Sequence, residues 1–70
     1  MENLTITIAK NVRVLRENQG ISQEELAFRA DVHRAYIGQV ERAERNLTLN
    51  SLQKIADGLK VEAEVLLSKK

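Results

Sequence analysis

Seventy residues, 43% hydrophobic and 30% charged with a formal net charge of +1, suit one small globular domain spanning residues 1–70, since so short a chain has no room to bury a second core. The near-neutral total excludes nothing about partners, so only the placement of charge can inform on them. The absence of cysteine excludes disulfides, thiolate metal sites and cysteine nucleophiles, and no apolar run approaches the roughly 20 residues of a membrane span or the pattern of a signal peptide. A cytoplasmic protein with no membrane contact is therefore expected. With no proline and glycines only at 20, 38 and 58, hairpin signals are few and an all-α fold of five helices is expected. With disulfides excluded and no metal site expected, self-association is the aid left to so small a core.

In chain order, Ile8, Val12 and Leu15 recur at helical spacing and predict a first helix over about Thr5 to Gln19. Leu4-Thr5-Ile6-Thr7-Ile8 alternates like a strand, and with no second strand to pair with it reads as a short arm entering that helix. Gly20 follows as a left-handed stop. Ser22-Gln23-Glu24-Glu25 reads as a capping box, in which the serine hydroxyl accepts from the Glu25 N–H and the Glu25 carboxylate reaches back to the serine N–H. Leu26, Ala27 and Ala30 supply the inner face of the short second helix, and Asp31 suits the tight turn after it. A third helix is expected from after Val32 to about Ala43, with Val32, Tyr36, Ile37 and Val40 on its apolar side. Thr48 is a candidate N-cap for a fourth helix carrying Leu49, Leu52, Ile55, Ala56 and Leu59 and ending near Gly58 to Lys60. Ala63, Val65, Leu66 and Leu67 fill a last short helix before the solvated Lys69-Lys70 end.

Two short helices joined by a tight turn, the second with a polar outer face, form a helix-turn-helix pattern. The run Ser22-Gln23-Glu24-Glu25-Leu26-Ala27, then after six residues Arg34-Ala35-Tyr36-Ile37-Gly38-Gln39-Val40-Glu41-Arg42, and later Ser51-Leu52-Gln53-Lys54-Ile55-Ala56 resembles the lambda-repressor-like (Cro or XRE) helix-turn-helix family over about residues 8 to 67. Within that family, Arg34, Tyr36-Ile37, Glu41-Arg42 and Arg45-Asn46-Leu47-Thr48 look most like the small controller proteins of restriction-modification systems; phage-type repressors and antitoxins share many of the same residues. The resemblance implies a transcription regulator that binds paired half-sites of a double-stranded DNA operator as a homodimer, with RNA polymerase an additional candidate partner. The sequence departs from the family pattern where His33 replaces a small polar residue, where Asp31, Ala43 and Lys60 replace glycine, and where Leu47 replaces proline.

The resemblance makes Arg34, Ala35 and Gln39 of the third helix the base readers. Arginine can pair bidentately with guanine, glutamine with adenine, and alanine can touch a thymine methyl. A solvated surface arginine and an ordinary helix-forming alanine are the competing readings of Arg34 and Ala35. For the DNA backbone the candidates are Gln23, Tyr36, Arg42, Arg45, Asn46, Thr48 and Ser51. Gln23 stands where unsatisfied N–H groups of a helix favour a phosphate, or simply caps that helix. Tyr36 offers its hydroxyl to a phosphate or packs inward entirely. Around the fourth helix Arg42, Arg45, Asn46 and Thr48 form a positive rim, diluted by Glu41 and Glu44. Arg16 and Glu41 resemble a family ion pair linking the first helix to the third. Val61, Val65, Leu66 and Leu67 are candidates for the dimer interface, because Val65, Leu66 and Leu67 exceed what so short a terminal helix can bury; the alternative is ordinary packing on the first and fourth helices. Gly38 would either permit close approach to DNA or mark an indifferent exposed position.

Enzymatic chemistry finds no support: there is no glycine-rich phosphate loop and no serine with a credible base, and Glu24 and Glu25, adjacent on a helix, point apart. His33 stands without other ligand types, so no metal or other cofactor is expected. The rival from another class is a helical protein-binding module, for which Arg34 and Arg42 would be surface charges only.

Overall fold

The computed structural model describes residues 3–69; Lys70, half of the expected solvated end, lies outside them. Among the described residues the chain forms five helices: α1 (Leu4–Asn18), α2 (Gln23–Ala30), α3 (Arg34–Glu41), α4 (Leu49–Leu59) and α5 (Ala63–Leu67). The strand-like alternation of Leu4–Ile8 does not make an arm: it is the first turns of α1, whose N-cap is Asn3, its side chain accepting from the Thr5 N–H at 2.8 Å. Physically the helix wins because each β-branched residue costs it at most about 0.7 kcal/mol. Thr7, Ile8 and Ala9 are buried on its inner side, and burying one isoleucine returns about 1.5–3 kcal/mol.

Caps set the other starts. Ser22 accepts from the Glu25 N–H at 3.0 Å and Thr48 from the Ser51 N–H at 3.1 Å. Only half of the expected capping box forms, because the Glu25 carboxylate takes Arg29 one turn on at 2.9 Å. The third helix is shorter than the sequence predicts at both ends. His33 stands in its N-cap position without a side-chain bond, as an imidazole in place of a short oxygen acceptor should.

α1 to α4 end alike. After each, one residue turns left-handed: Gly20 at φ 69°, Asp31 at 59°, Ala43 at 59° and Lys60 at 62°. Each closes the helix with a paired return of backbone bonds, such as Ala43 N–H to Val40 O at 3.0 Å and Glu44 N–H to Gln39 O at 2.9 Å, the arrangement that satisfies the last free carbonyls. Ala43 therefore ends the third helix that sequence alone carries to about its position. The residues after three of the turns, Ile21, Val32 and Val61, fold back onto the core; Glu44, after the fourth, is exposed.

Every helix contributes to one apolar cluster, with Val12, Leu26, Ile37, Val40, Ile55, Leu59 and Leu66 fully buried. α2 and α4 touch where Gly58 lies: a Cβ there would come within 3.2 Å of the Ala30 Cβ and backbone nitrogen. Two expectations are corrected. Leu49 is 85% exposed; one residue inside its cap, it stops short of the core that Leu52 enters. Leu66 is 0% exposed within the chain itself, so its side chain is packing, not surface, and cannot meet a partner. α5 is held on α1 by Asn11, whose amide donates to the carbonyls of Leu66 at 2.9 Å and Ser68 at 2.7 Å. Gln19 likewise donates to Leu59 O at 2.8 Å, tying the end of α1 to the end of α4.

Candidate nucleic-acid interface

α3 is fixed before anything is presented on it. Ile37 and Val40 enter the core from its inner side. At its end, Arg16 Nε donates to Glu41 Oε2 at 2.6 Å and Arg16 Nη2 to Glu41 Oε1 at 3.1 Å, a bidentate pair with side-chain exposures of only 13% and 4%. Arg16 Nη1 also donates to Ile21 O at 2.9 Å, and Gln23 Nε2 donates to Glu41 Oε1 at 3.0 Å. One carboxylate thus collects donors from α1 and from the first residue of α2. The hydrogen bond to Glu41 raises the Arg16 pKa above that of a free guanidinium, against the opposing effect of burial. Because Glu41 is spent internally, it does not dilute the surface charge as the sequence reading supposes.

On the opposite side of α3, Arg34 and Ala35 are exposed and Gln39 is half-buried. Ala35, Tyr36 and Gln39 line a surface groove with Asp31, Val32, His33, Arg45 and Ser51. Arg34, at the start of α3, makes no hydrogen bond or ion pair among the described residues. The Tyr36 ring is partly buried against the core and carries the Arg45 guanidinium 5.8 Å from its centroid, within the range of a cation–π contact. This leaves Arg45 exposed at the groove wall rather than anchored by an acid. His33 was not marked by the sequence pattern as a groove residue; its position just ahead of Arg34 is the signal that could have found it.

The remaining rim candidates do not converge. Arg42 Nε and Nη2 donate to Glu44 at 2.9 and 3.2 Å; those bonds pull the Glu44 pKa below the usual carboxylate range and raise that of Arg42. Asn46 accepts from the Thr5 hydroxyl at 3.0 Å, and with Thr48 it borders a different groove, lined also by Leu4, Leu49 and Leu67. The Thr48 hydroxyl is used as the α4 cap and donates to Ser51 Oγ at 3.2 Å. Gly38, expected either exposed or close to DNA, is buried: the space above it is filled by the ends of Arg42 and Gln23. Of the expected dimer residues, Val65 and Leu67 are exposed, whereas Val61 is half-buried against the molecule's own core. No group of three or more metal-binding side chains exists among the described residues, and no helix among them is long and apolar enough to cross a membrane.

Comparison with known proteins adds a lineage to this geometry. A family model described as helix-turn-helix matches residues 12–66. Control protein C.SmaI of Serratia marcescens is 45% identical over 62 residues, which is 89% of this chain and 74% of that protein. Control protein C.BamHI of Bacillus amyloliquefaciens is 39% identical over 66 residues, 93% of this chain and 82% of that one. Among solved structures, the restriction-modification controller protein C.AhdI from Aeromonas hydrophila superposes with a TM-score of 0.85 at 39% identity, covering 89% of this chain and 94% of its own.

Proposed function

Because the chain belongs to the helix-turn-helix family, we propose that it is a sequence-specific DNA-binding transcription regulator and, within that family, a restriction-modification controller acting on paired operator half-sites as a homodimer. The observation that carries this reading is the division of α3 by face. Ile37, Val40 and Glu41 anchor it, while Arg34, Ala35 and Gln39 are left at the surface, where an α-helix lying in a major groove reads base edges. The similarity to three controller proteins at 39–45% identity supports the narrower assignment. We read the molecule as a binding protein and not an enzyme, working in the cytoplasm and on the nucleoid when bound, with RNA polymerase a candidate contact at the promoter.

Tyr36, Arg45 and Ser51, which share the groove with Gln39, are the backbone contacts this reading favours, with Gln23 and Arg42 on the α2 side. Of the two remaining candidates, Thr48 spends its hydroxyl on the α4 cap and on Ser51, whereas Asn46 gives Thr5 only its oxygen and keeps its amide N–H groups for a phosphate. For the homodimer, Val65 and Leu67 are the exposed members of the expected interface, and Leu4 and Leu49 extend that apolar surface along the groove they share with Leu67. Two recognition helices roughly 34 Å apart would then read a near-palindromic site.

Selection of bound sequences from a random DNA pool tests the reading. A single enriched, two-fold related site is expected. Arg34→Ala should weaken binding to it by roughly 10- to 100-fold and relax the preference at one base pair per half-site, as loss of a bidentate contact implies. Full affinity with unchanged preference in a folded Arg34→Ala protein sinks the assignment of base readers, and a pool without any enriched site favours the protein-binding module instead.

A further inference from the structure

Arg42 rests where two other residues put it. A Cβ on Gly38 would lie 3.1 Å from Arg42 Nη1 and 3.7 Å from Gln23 Oε1, so the guanidinium lies back along α3 in the space that the missing side chain leaves, beside the residue that opens α2. Its Nε and Nη2 are turned to the two oxygens of Glu44 at 2.9 and 3.2 Å. The Ala43 turn makes this meeting possible. With φ at 59° it reverses the chain directly after Arg42, and the bond from Glu44 N–H to Gln39 O at 2.9 Å delivers the Glu44 side chain to a residue only two positions earlier.

A phosphate approaching Gln23 and the α2 N-terminus would find Arg42 close by but already facing an anion. Both side chains are well exposed, at 60% and 52%, so the pair is loose enough to exchange one anion for another. We propose that Glu44 competes with the DNA backbone for Arg42, and so sets how strongly the protein grips DNA without touching a base. The proposal rests on the DNA-binding reading above and names an affinity-setting residue within it. Phosphate contacts serve every sequence alike, so Glu44 lowers binding to operator and to bulk DNA together and leaves the ratio between them intact.

The test titrates the full-length chain, Glu44→Gln, Arg42→Ala and the double variant against a duplex carrying the selected site and against a mixed-sequence duplex, across a salt series. Thermal midpoints are taken alongside to show that all four proteins are folded. Glu44→Gln is expected to tighten binding to both duplexes by roughly five- to tenfold per half-site near 0.1 M salt, and to steepen the dependence of log K on log salt by about 0.9 per half-site, the worth of one phosphate contact. In the Arg42→Ala background the same change should alter affinity by less than about twofold, because the side chain under competition is gone. An equal gain with and without Arg42 would mean that Glu44 merely repels DNA at a distance, and would overturn the proposal, as would an unchanged salt slope in Glu44→Gln. If the wild-type chain binds neither duplex, it is the DNA-binding reading that has failed, and the proposal goes with it.

Discussion

At the C-terminal end of α3, Arg16 and Glu41 pair inside the molecule while Arg42 and Glu44 pair in solvent. The chemistry is the same and Glu41 and Arg42 are sequence neighbours, yet the two pairs do different work. Glu41 is nearly removed from water and is tied at once to α1 and α2, so the loss of either charge would leave the other buried without a counter-ion. The outer pair joins two residues of one loop, stays hydrated, and holds nothing that the Schellman-type turn at Ala43 does not already hold. Burial and the number of elements joined, not the identity of the charges, decide which pair is structure and which is a surface property open to exchange.

That contrast can be attacked directly. Arg16→Met should be the most damaging change, lowering stability by about 3 kcal/mol because the Glu41 carboxylate stays buried with only Gln23 as a donor; in a chain of this size the thermal midpoint would fall by roughly 12–24 °C. A midpoint within a few degrees of wild type would show that the inner pair is no anchor. Leu66→Ala should destabilise to a similar degree, by about 2–4 kcal/mol, as a large core truncation does. Leu67→Ala at the exposed neighbouring position should leave the monomer fold intact and act on dimer mass in sedimentation. The double change Arg16→Met with Glu41→Leu should recover most of the stability lost by Arg16→Met alone, since no charge remains buried, while DNA affinity stays low because α3 has lost its steering contact. Urea titration beside a binding assay separates those two effects. Ala43→Gly should stabilise by about 1 kcal/mol, the strain of a Cβ in the left-handed region. Smallest of all, Arg42→Ala should leave the thermal midpoint unchanged while it alters the salt dependence of DNA binding. The Arg42 hydrogen bond lowers the folded-state pKa of Glu44, so whatever stability the outer pair contributes is present above the ordinary carboxylate pKa and is lost as the pH falls through that lowered value.

Features decided within four residues were legible in the sequence. The Ser22 and Thr48 caps, the left-handed turn at Asp31 and the amphipathic run of α4 follow from local bonding and period, and the resemblance carried by Ser22–Ala27 and Arg34–Arg42 brought Arg16 and Glu41 into view as partners. What the sequence misled on depends on distant partners. Leu4–Ile8 alternates convincingly until Asn3 caps it and the core takes Ile8. Leu66 looks surplus in a five-residue helix until α1 covers it, and Leu49 looks like core by period until its place as the first residue of α4 leaves it in solvent. The bond between Asn46 and Thr5, 41 residues away, is equally invisible to any local pattern. Gly38 was opaque because its meaning is the space it leaves for Arg42 and Gln23, which no residue pattern displays.

The amide of Asn11 gathers carbonyls from residues up to 57 positions later, and α5, at five residues, is far shorter than the roughly 12–15 that an isolated helix needs to persist in water. α1 therefore leaves the ribosome well before α5, which it needs in order to close its inner face. The packing of α1 cannot be completed segment by segment as synthesis proceeds, and the surface bearing Val65 and Leu67 comes into being only after α3 and α4 have already emerged.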